Sequence, residues 1–204
     1  MTYQIRRETT ETKIDIKLSV SKKESQIHTG VGFLDHMLTL WSFHSGLALQ
    51  IDVEGDTWVD DHHTTEDIGI VLGQLLRQLI KDKVHYTRYG TQYIPMDETL
   101  ARAVVDISGR PYLNFQADFS KEKVGQFDTE LVKEFFRALV FNAYLTVHID
   151  LLHQGNTHHE IEAIFKAFAH ALKQALRDSE DRRIPSSKGC LLYTSPSPRD
   201  RTRS

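Results

Sequence analysis

The sequence predicts an α+β fold assembled from two similar halves. Three observations carry this: segments with period-2 alternation of apolar and polar residues, segments with apolar residues at helical spacing, and one motif that occurs twice. The alternating segments read as half-buried strands. Residues 12–20 (TKIDIKLSV) set Ile14, Ile16, Leu18 and Val20 against polar neighbours, and residues 47–54 (LALQIDVE) do the same with Leu47, Leu49, Ile51 and Val53. Between them, Leu34, Met37, Leu38 and Trp41 mark a short helix over 34–45. A longer helix follows from His62 to about Lys81, with Ile68, Leu72, Leu75, Leu76 and Leu79 on its inner side.

The second half repeats the order of strands, helix, strand, helix. ARAVVDI and LNFQADF, the latter running to Phe119, read as strands, followed by a helix at about 129–144, the strand TVHIDLL and a last helix from about His158 to Arg177. The two long helices open on His62-His63-Thr64-Thr65-Glu66-Asp67-Ile68 and His158-His159-Glu160-Ile161-Glu162-Ala163-Ile164. Both fit His-His-x-x-Glu-x-Ile, and the offset from 62 to 158 is 96 residues. A repeat on this scale implies a duplicated half-domain, with sheets and helices packed as an α+β sandwich. We divide the chain into a first half-repeat, 1–92, a second, 93–189, together one compact domain, and a tail, 190–204, whose Ser, Pro and Arg content and lack of periodicity lead us to expect a disordered, non-native end.

Composition narrows the function classes. A formal charge of -3 argues against a general nucleic-acid binder. No apolar run approaches the roughly 20 residues that cross a bilayer, and the polar N-terminus lacks a signal-peptide core. The single cysteine, Cys190, excludes an intrachain disulfide, and the expected location is cytoplasmic. Histidine stands out at 11 residues, several of them clustered.

On a helix, positions i and i+4 share a face, so His62 stacks on Glu66 and His158 on Glu162, with His63 and His159 one position round. Imidazole nitrogen with carboxylate oxygen suits a borderline divalent ion. Adjacent histidines point about 100° apart around the axis, so each pair fits two ions shared between elements or subunits better than one. One such pair would ordinarily be a cap or a surface feature. Two copies at matching places argue for metal. His36, in FLDHM, is a fifth candidate, and its counterpart in the second half is Glu134. His28, His85, His148, His153 and His170 read as ordinary surface or half-buried residues. A phosphate site is suggested by Arg88, by Arg110 in the turn Ser-Gly-Arg-Pro-Tyr, by Lys166 one turn beyond Glu162, and by Ser186, Ser187 and Lys188.

Taken together, GFLDHML, DDHHTTEDIGI, TRYG around Arg88, SGRPYL, NTHHEIEAIFKAFAHAL and IPSSKG resemble the imidazoleglycerol-phosphate dehydratase family over residues from about 3 to 189. The resemblance implies a four-strand, two-helix unit duplicated in a ribosomal protein S5 domain 2-like sandwich. It implies a hydro-lyase of histidine biosynthesis that converts D-erythro-imidazoleglycerol phosphate to imidazole acetol phosphate. It also implies manganese, a pair of ions per active site, and a homo-oligomer of about 24 subunits with active sites at subunit interfaces. Carried over residue by residue, the metal ligands would be His36, His62, His63, Glu66, Glu134, His158, His159 and Glu162. Histidine stands in some members where this chain has Glu134. Glu11, His36, His62, His63, Arg88, Arg110, Lys166, Ser186, Ser187 and Lys188 would bind substrate. Glu11, His44, Glu66 and Glu162 would take part in catalysis, with His44 assisting hydroxyl departure and Glu11 or Glu162 handling protons. Two rival readings are a metal-dependent phosphate-ester hydrolase, which would release inorganic phosphate, and an RNA-binding domain of the same sandwich type, whose binding would fall steeply with salt.

Overall fold

The computed structural model describes residues 1–20, 24–83 and 85–179. The first half runs β1 (Thr2–Glu8), β2 (Thr12–Ser19), β3 (Gln26–His28), α1 (Gly32–Ser45), β4 (Ala48–Gly55) and α2 (His62–Asp82). The second runs β5 (Tyr89–Met96), β6 (Thr99–Asp106), β7 (Tyr112–Gln116), a small ribbon of β8 (Lys123–Val124) and β9 (Phe127–Asp128), α3 (Glu130–Ala143), β10 (Thr146–His153) and α4 (Thr157–Ala175). The expected division after residue 92 falls within β5.

The duplication is visible in the sheets. The first has strand order β1-β2-β4-β3 and the second β5-β6-β10-β7. In each, a hairpin opens the half (β1/β2, β5/β6), and a parallel pair (β3/β4, β7/β10) is joined through the shorter helix. The strands β2, β4 and β6 alternate as their sequences dictate: Ile14, Ile16 and Leu18 are buried, as are Leu49, Ile51 and Val53, and Ala101, Ala103 and Val105. β7 stops at Gln116, short of the expected Phe119.

The helices form the inner layer. Each long helix covers its own sheet, α2 on β1 and β2, and α4 on β5 and β6, while packing against the short helix of the other half, α2 on α3 and α1 on α4. One continuous apolar core therefore spans both halves. The α2–α3 contact depends on two glycines. A Cβ on Gly69 would stand 2.7 Å from the Phe135 carbonyl oxygen, and one on Gly73 would stand 2.4 Å from that of Leu139. The absent side chains let the two backbones approach, which sets how α2 lies against α3.

Helix ends are secured locally. Thr29, buried, donates from its backbone N–H and its hydroxyl to Asp35 Oδ1 at 2.8 and 2.6 Å, setting the start of α1. Gly46 ends α1 at φ 75°, where its N–H reaches the Ser42 carbonyl. No helix among the described residues is long and apolar enough to cross a membrane.

Candidate active site

Both His-His-x-x-Glu motifs sit at helix starts held by side-chain acceptors. Asp60 Oδ1 accepts from the His62 N–H at 2.8 Å, and Asn156 Oδ1 accepts from the His158 N–H at 2.9 Å. These bonds satisfy otherwise orphaned donors of the first turn. The i, i+4 geometry follows: His62 Nε2 is 3.8 Å from Glu66 Oε2, and His158 Nε2 is 3.4 Å from Glu162 Oε2.

Because α1 packs along α4, His36 joins the second motif. Its Nε2 lies 3.7 Å from Glu162 Oε2, and its ring centroid is 5.6 Å from that of His158. His36, His158 and Glu162 each offer one ligand atom, all within 4.8 Å of one another. Two imidazole nitrogens and a carboxylate oxygen in that volume form a donor set that fits a borderline divalent ion. Glu162 is buried, which opposes its charge, but the Lys166 ammonium at 2.5 Å, with His36 and His158, outweighs burial and holds the carboxyl below its usual range. An ionised carboxylate is the form that ligates.

The first copy is arranged differently. Glu134, on α3 at the place of His36, accepts from Arg137 Nη1 at 3.0 Å. Among the described residues no group of three donors gathers around His62, His63 and Glu66. Adjacent histidines diverge in both motifs: the ring planes of His62 and His63, and of His158 and His159, stand 81° apart, with centroids 6.1 and 6.2 Å apart. His63 Nδ1 lies 2.9 Å from Asp56 Oδ2, and its Nε2 lies 3.7 Å from Glu11 Oε1. The Asp56 hydrogen bond, reinforced by the charges of Glu11, Asp56 and Asp60 against some desolvation, raises the His63 pKa. His159 Nδ1 lies 3.2 Å from Glu98 Oε2, with Asp97 Oδ2 at 3.9 Å. Glu98 accepts the Asn156 N–H at 2.6 Å, and this bond, ahead of the others to it, draws its pKa down to about 2.

Along the α1–α4 seam, two turns beyond His36, His44 Nδ1 stands 3.1 Å from His170 Nε2. Burial, then the neighbouring His170 and the ammonium groups of Lys166 and Lys173, lowers the His44 pKa. His170, read as an ordinary half-buried residue, is half-buried and contacts the expected catalytic histidine.

The expected phosphate residues divide. Lys166 reaches the cluster through Glu162. Arg88, at φ 78°, places Nε 2.7 Å and Nη2 3.3 Å from the two Asp106 oxygens, so its guanidinium is engaged within the fold. Arg110 is exposed beyond the turn that Gly109 makes at φ 71°, its backbone tied to Ser108 and Thr146. Ser186, Ser187 and Lys188, and the tail from Cys190, lie outside the described residues. Sequence reasoning missed Asp56, Glu98 and Asp106. A concavity of about 590 Å³ on the first sheet, lined by Arg6, Arg7, Lys13, Asp15, Asp52 and Glu54 among others, contains no histidine. Donor chemistry, not cavity size, locates the site.

Residues 29–172 match the family model described as imidazoleglycerol-phosphate dehydratase. The chain is 70% identical over 192 residues to the imidazoleglycerol-phosphate dehydratase of Staphylococcus carnosus (strain TM300), covering 94% of this chain and 100% of that one. It is 68% identical over 191 residues to the enzyme of that name from Staphylococcus aureus (strain JH9), with the same coverage. The crystal structure of the S. aureus N315 dehydratase superposes with a TM-score of 0.82 at 65% identity, covering 88% of this chain and all of that one. The Pyrococcus furiosus enzyme, in complex with (S)-C348, superposes with a TM-score of 0.80 at 40% identity, covering 92% of this chain and all of that one. The duplicated sandwich and its histidine–carboxylate helix starts are thus those of an enzyme, a hydro-lyase. Within that class, the chain belongs to the imidazoleglycerol-phosphate dehydratase family.

Proposed function

We propose that this chain removes water from D-erythro-imidazoleglycerol phosphate to give imidazole acetol phosphate in histidine biosynthesis, using a pair of manganese ions per active site. The observation that carries the metal reading is the convergence of His36, His158 and Glu162 within 4.8 Å, on one of two copies of the same motif. Bound at these residues, the ions would supply Lewis acidity that stabilises charge on the substrate's imidazole ring. The remaining ligands would be His62, His63, Glu66 and His159, with Glu134 at the place of His36. A ligand set completed by neighbouring subunits would make the protein a homo-oligomer, of about 24 chains, with active sites at subunit interfaces.

The residues then divide the work. Dehydration removes a hydroxyl from the carbon beside the ring and a hydrogen from its neighbour, which no carbonyl activates. His44 gives a proton to the departing hydroxyl, forming water. Its lowered pKa makes the protonated ring a stronger donor, though a rarer one at neutral pH. Glu11, beside His63, takes the carbon-bound proton, with Glu162 as the alternative and Glu66 beside the first motif. The resulting enol becomes the ketone as carbon regains a proton and the enol hydroxyl loses its own. Arg88, Arg110, Lys166, Ser186, Ser187 and Lys188 hold the phosphate, which orients the diol. A soluble cytoplasmic location fits this pathway.

Expression in a bacterium lacking its own dehydratase tests the reading. Growth without histidine is expected from the wild type and not from Glu162→Gln. No rescue by a well-expressed wild-type chain would count against the assignment.

A further inference from the structure

The two halves are built alike, yet the carboxylate on Nδ1 of each motif's second histidine comes from different places: Asp56 for His63 and Glu98 for His159. Glu11 immediately precedes β2, and Glu98 immediately precedes β6, so the two occupy the same position in equivalent hairpins. Their surroundings have diverged. Glu11 faces the Nε2 side of His63 at 3.7 Å, while the Nδ1 side of that ring is taken by Asp56 at 2.9 Å. Glu98 faces the Nδ1 side of His159 at 3.2 Å, and its other oxygen accepts the Asn156 N–H at 2.6 Å. Gly155 makes room for this: a Cβ there would stand 2.3 Å from Glu98 Cγ.

We infer that Glu98 is the positioning residue of His159, fixing the ring so that its Nε2 is presented for metal, as Asp56 does for His63. A carboxylate can only accept, so in the neutral ring that ligates metal Nδ1 carries the proton and Nε2 keeps its lone pair. Carboxylates in this relation to a ligating imidazole orient it and raise its basicity. The division has a consequence for the reaction. In the first half Asp56 orients the histidine, which leaves the hairpin carboxylate, Glu11, available to substrate. In the second half the hairpin carboxylate is itself the orienting group. Two equivalent hairpins therefore supply one reactive carboxylate and one structural carboxylate. This inference rests on the proposed metal site.

The test uses the full chain, stripped of metal and titrated with manganese(II), following the solution resonance signal of the free ion. The wild type is measured first. Absence of binding there would overturn the metal reading itself, independently of Glu98. Glu98→Gln faces two donors, the Asn156 N–H and His159 Nδ1–H, with an amide that can accept at only one end. It is expected to weaken one class of manganese sites about 10- to 100-fold and leave the other unchanged. Gly155→Ala, which displaces Glu98 without altering its charge, is expected to weaken the same class, and it decides the matter alone if Glu98→Gln does not fold. Asp56→Asn should weaken the other class. A purely structural role for Glu98 predicts lower melting temperatures with wild-type manganese affinity in both Glu98→Gln and Gly155→Ala, and that result would overturn the inference.

Discussion

Replacing Gly73 by alanine tests the packing that positions the first motif. Alanine suits a helix interior better than glycine by about 0.8–1 kcal/mol, so propensity alone predicts stabilisation. The structure predicts the reverse. The new Cβ would lie 2.4 Å from the Leu139 carbonyl oxygen, 2.8 Å from Asn142 Cβ and 3.0 Å from the Ala143 nitrogen. Two of these three are backbone atoms of α3, which cannot rotate away, so α2 and α3 must separate along a contact that is otherwise fully packed. Overpacking of this kind costs about 1–3 kcal/mol, and a backbone obstruction belongs at the upper end. The net is a loss of about 1–2 kcal/mol, or roughly 2–8 °C in melting temperature for a chain of this size. The assay is thermal and urea unfolding followed by far-ultraviolet dichroism, at one fixed protein concentration because association would shift both. Gly32→Ala is the internal control, since nothing lies within 4 Å of its Cβ position. It should be neutral or slightly stabilising. A Gly73→Ala protein that melts with the wild type or above it would refute the close α2–α3 contact.

Arg88→Ala should lower stability by about 2–3 kcal/mol, because it strands Asp106 in a pair whose side chains are 13% and 20% exposed; an unchanged urea midpoint with a raised KM would instead make Arg88 a substrate ligand only. Glu98 has a folded-state pKa of about 2 against an ordinary 4.5, so its contribution is present above pH 4.5 and disappears as the pH falls towards 2. The difference in urea midpoint between wild type and Glu98→Gln should therefore shrink across that window, and shrink at every pH in high salt because the group is exposed; a constant difference would contradict this. If metal bridges subunits, chelation should convert the large particle to smaller species in sedimentation, whereas an intact particle in fully metal-free protein would separate assembly from metal binding.

Elements that bury a regular apolar face were legible in the sequence. The helices around Leu34–Trp41 and Ile68–Leu79 and the strands around Ile14–Leu18 and Leu49–Val53 pack as their periodicity dictates. β1 was not, because TYQIRRE buries no residue fully and contributes only Tyr3 and Ile5 to the edge of the core. β3, with three residues, and β8 and β9, with two each, are too short to show a period. β5 carries Pro95 and an outer sheet position, which obscured its alternation.

The candidate site divides along the same line. Ligands in a helical motif announce themselves through i, i+4 spacing, so His62 and Glu66, and His158 and Glu162, were readable. His36 reached the second cluster through helix–helix packing, which spacing alone does not give. Asp56, Glu98 and His170 carried no signal, since each acts on a histidine 7, 61 or 126 residues away in sequence. Only the β4–α2 connection, the β5–β6 hairpin turn and the α1–α4 seam bring them together. Arg88 adds a partner that no spacing identified: its guanidinium bonds Asp106 within the fold.

The most direct test of the central claim is turnover of imidazoleglycerol phosphate by the metal-stripped protein, before and after manganese is restored, with the products identified by phosphorus and proton resonance. No reaction is expected without metal, and on restoring it an oxo product that keeps its phosphate. Release of inorganic phosphate, or no product with any divalent ion, would contradict it.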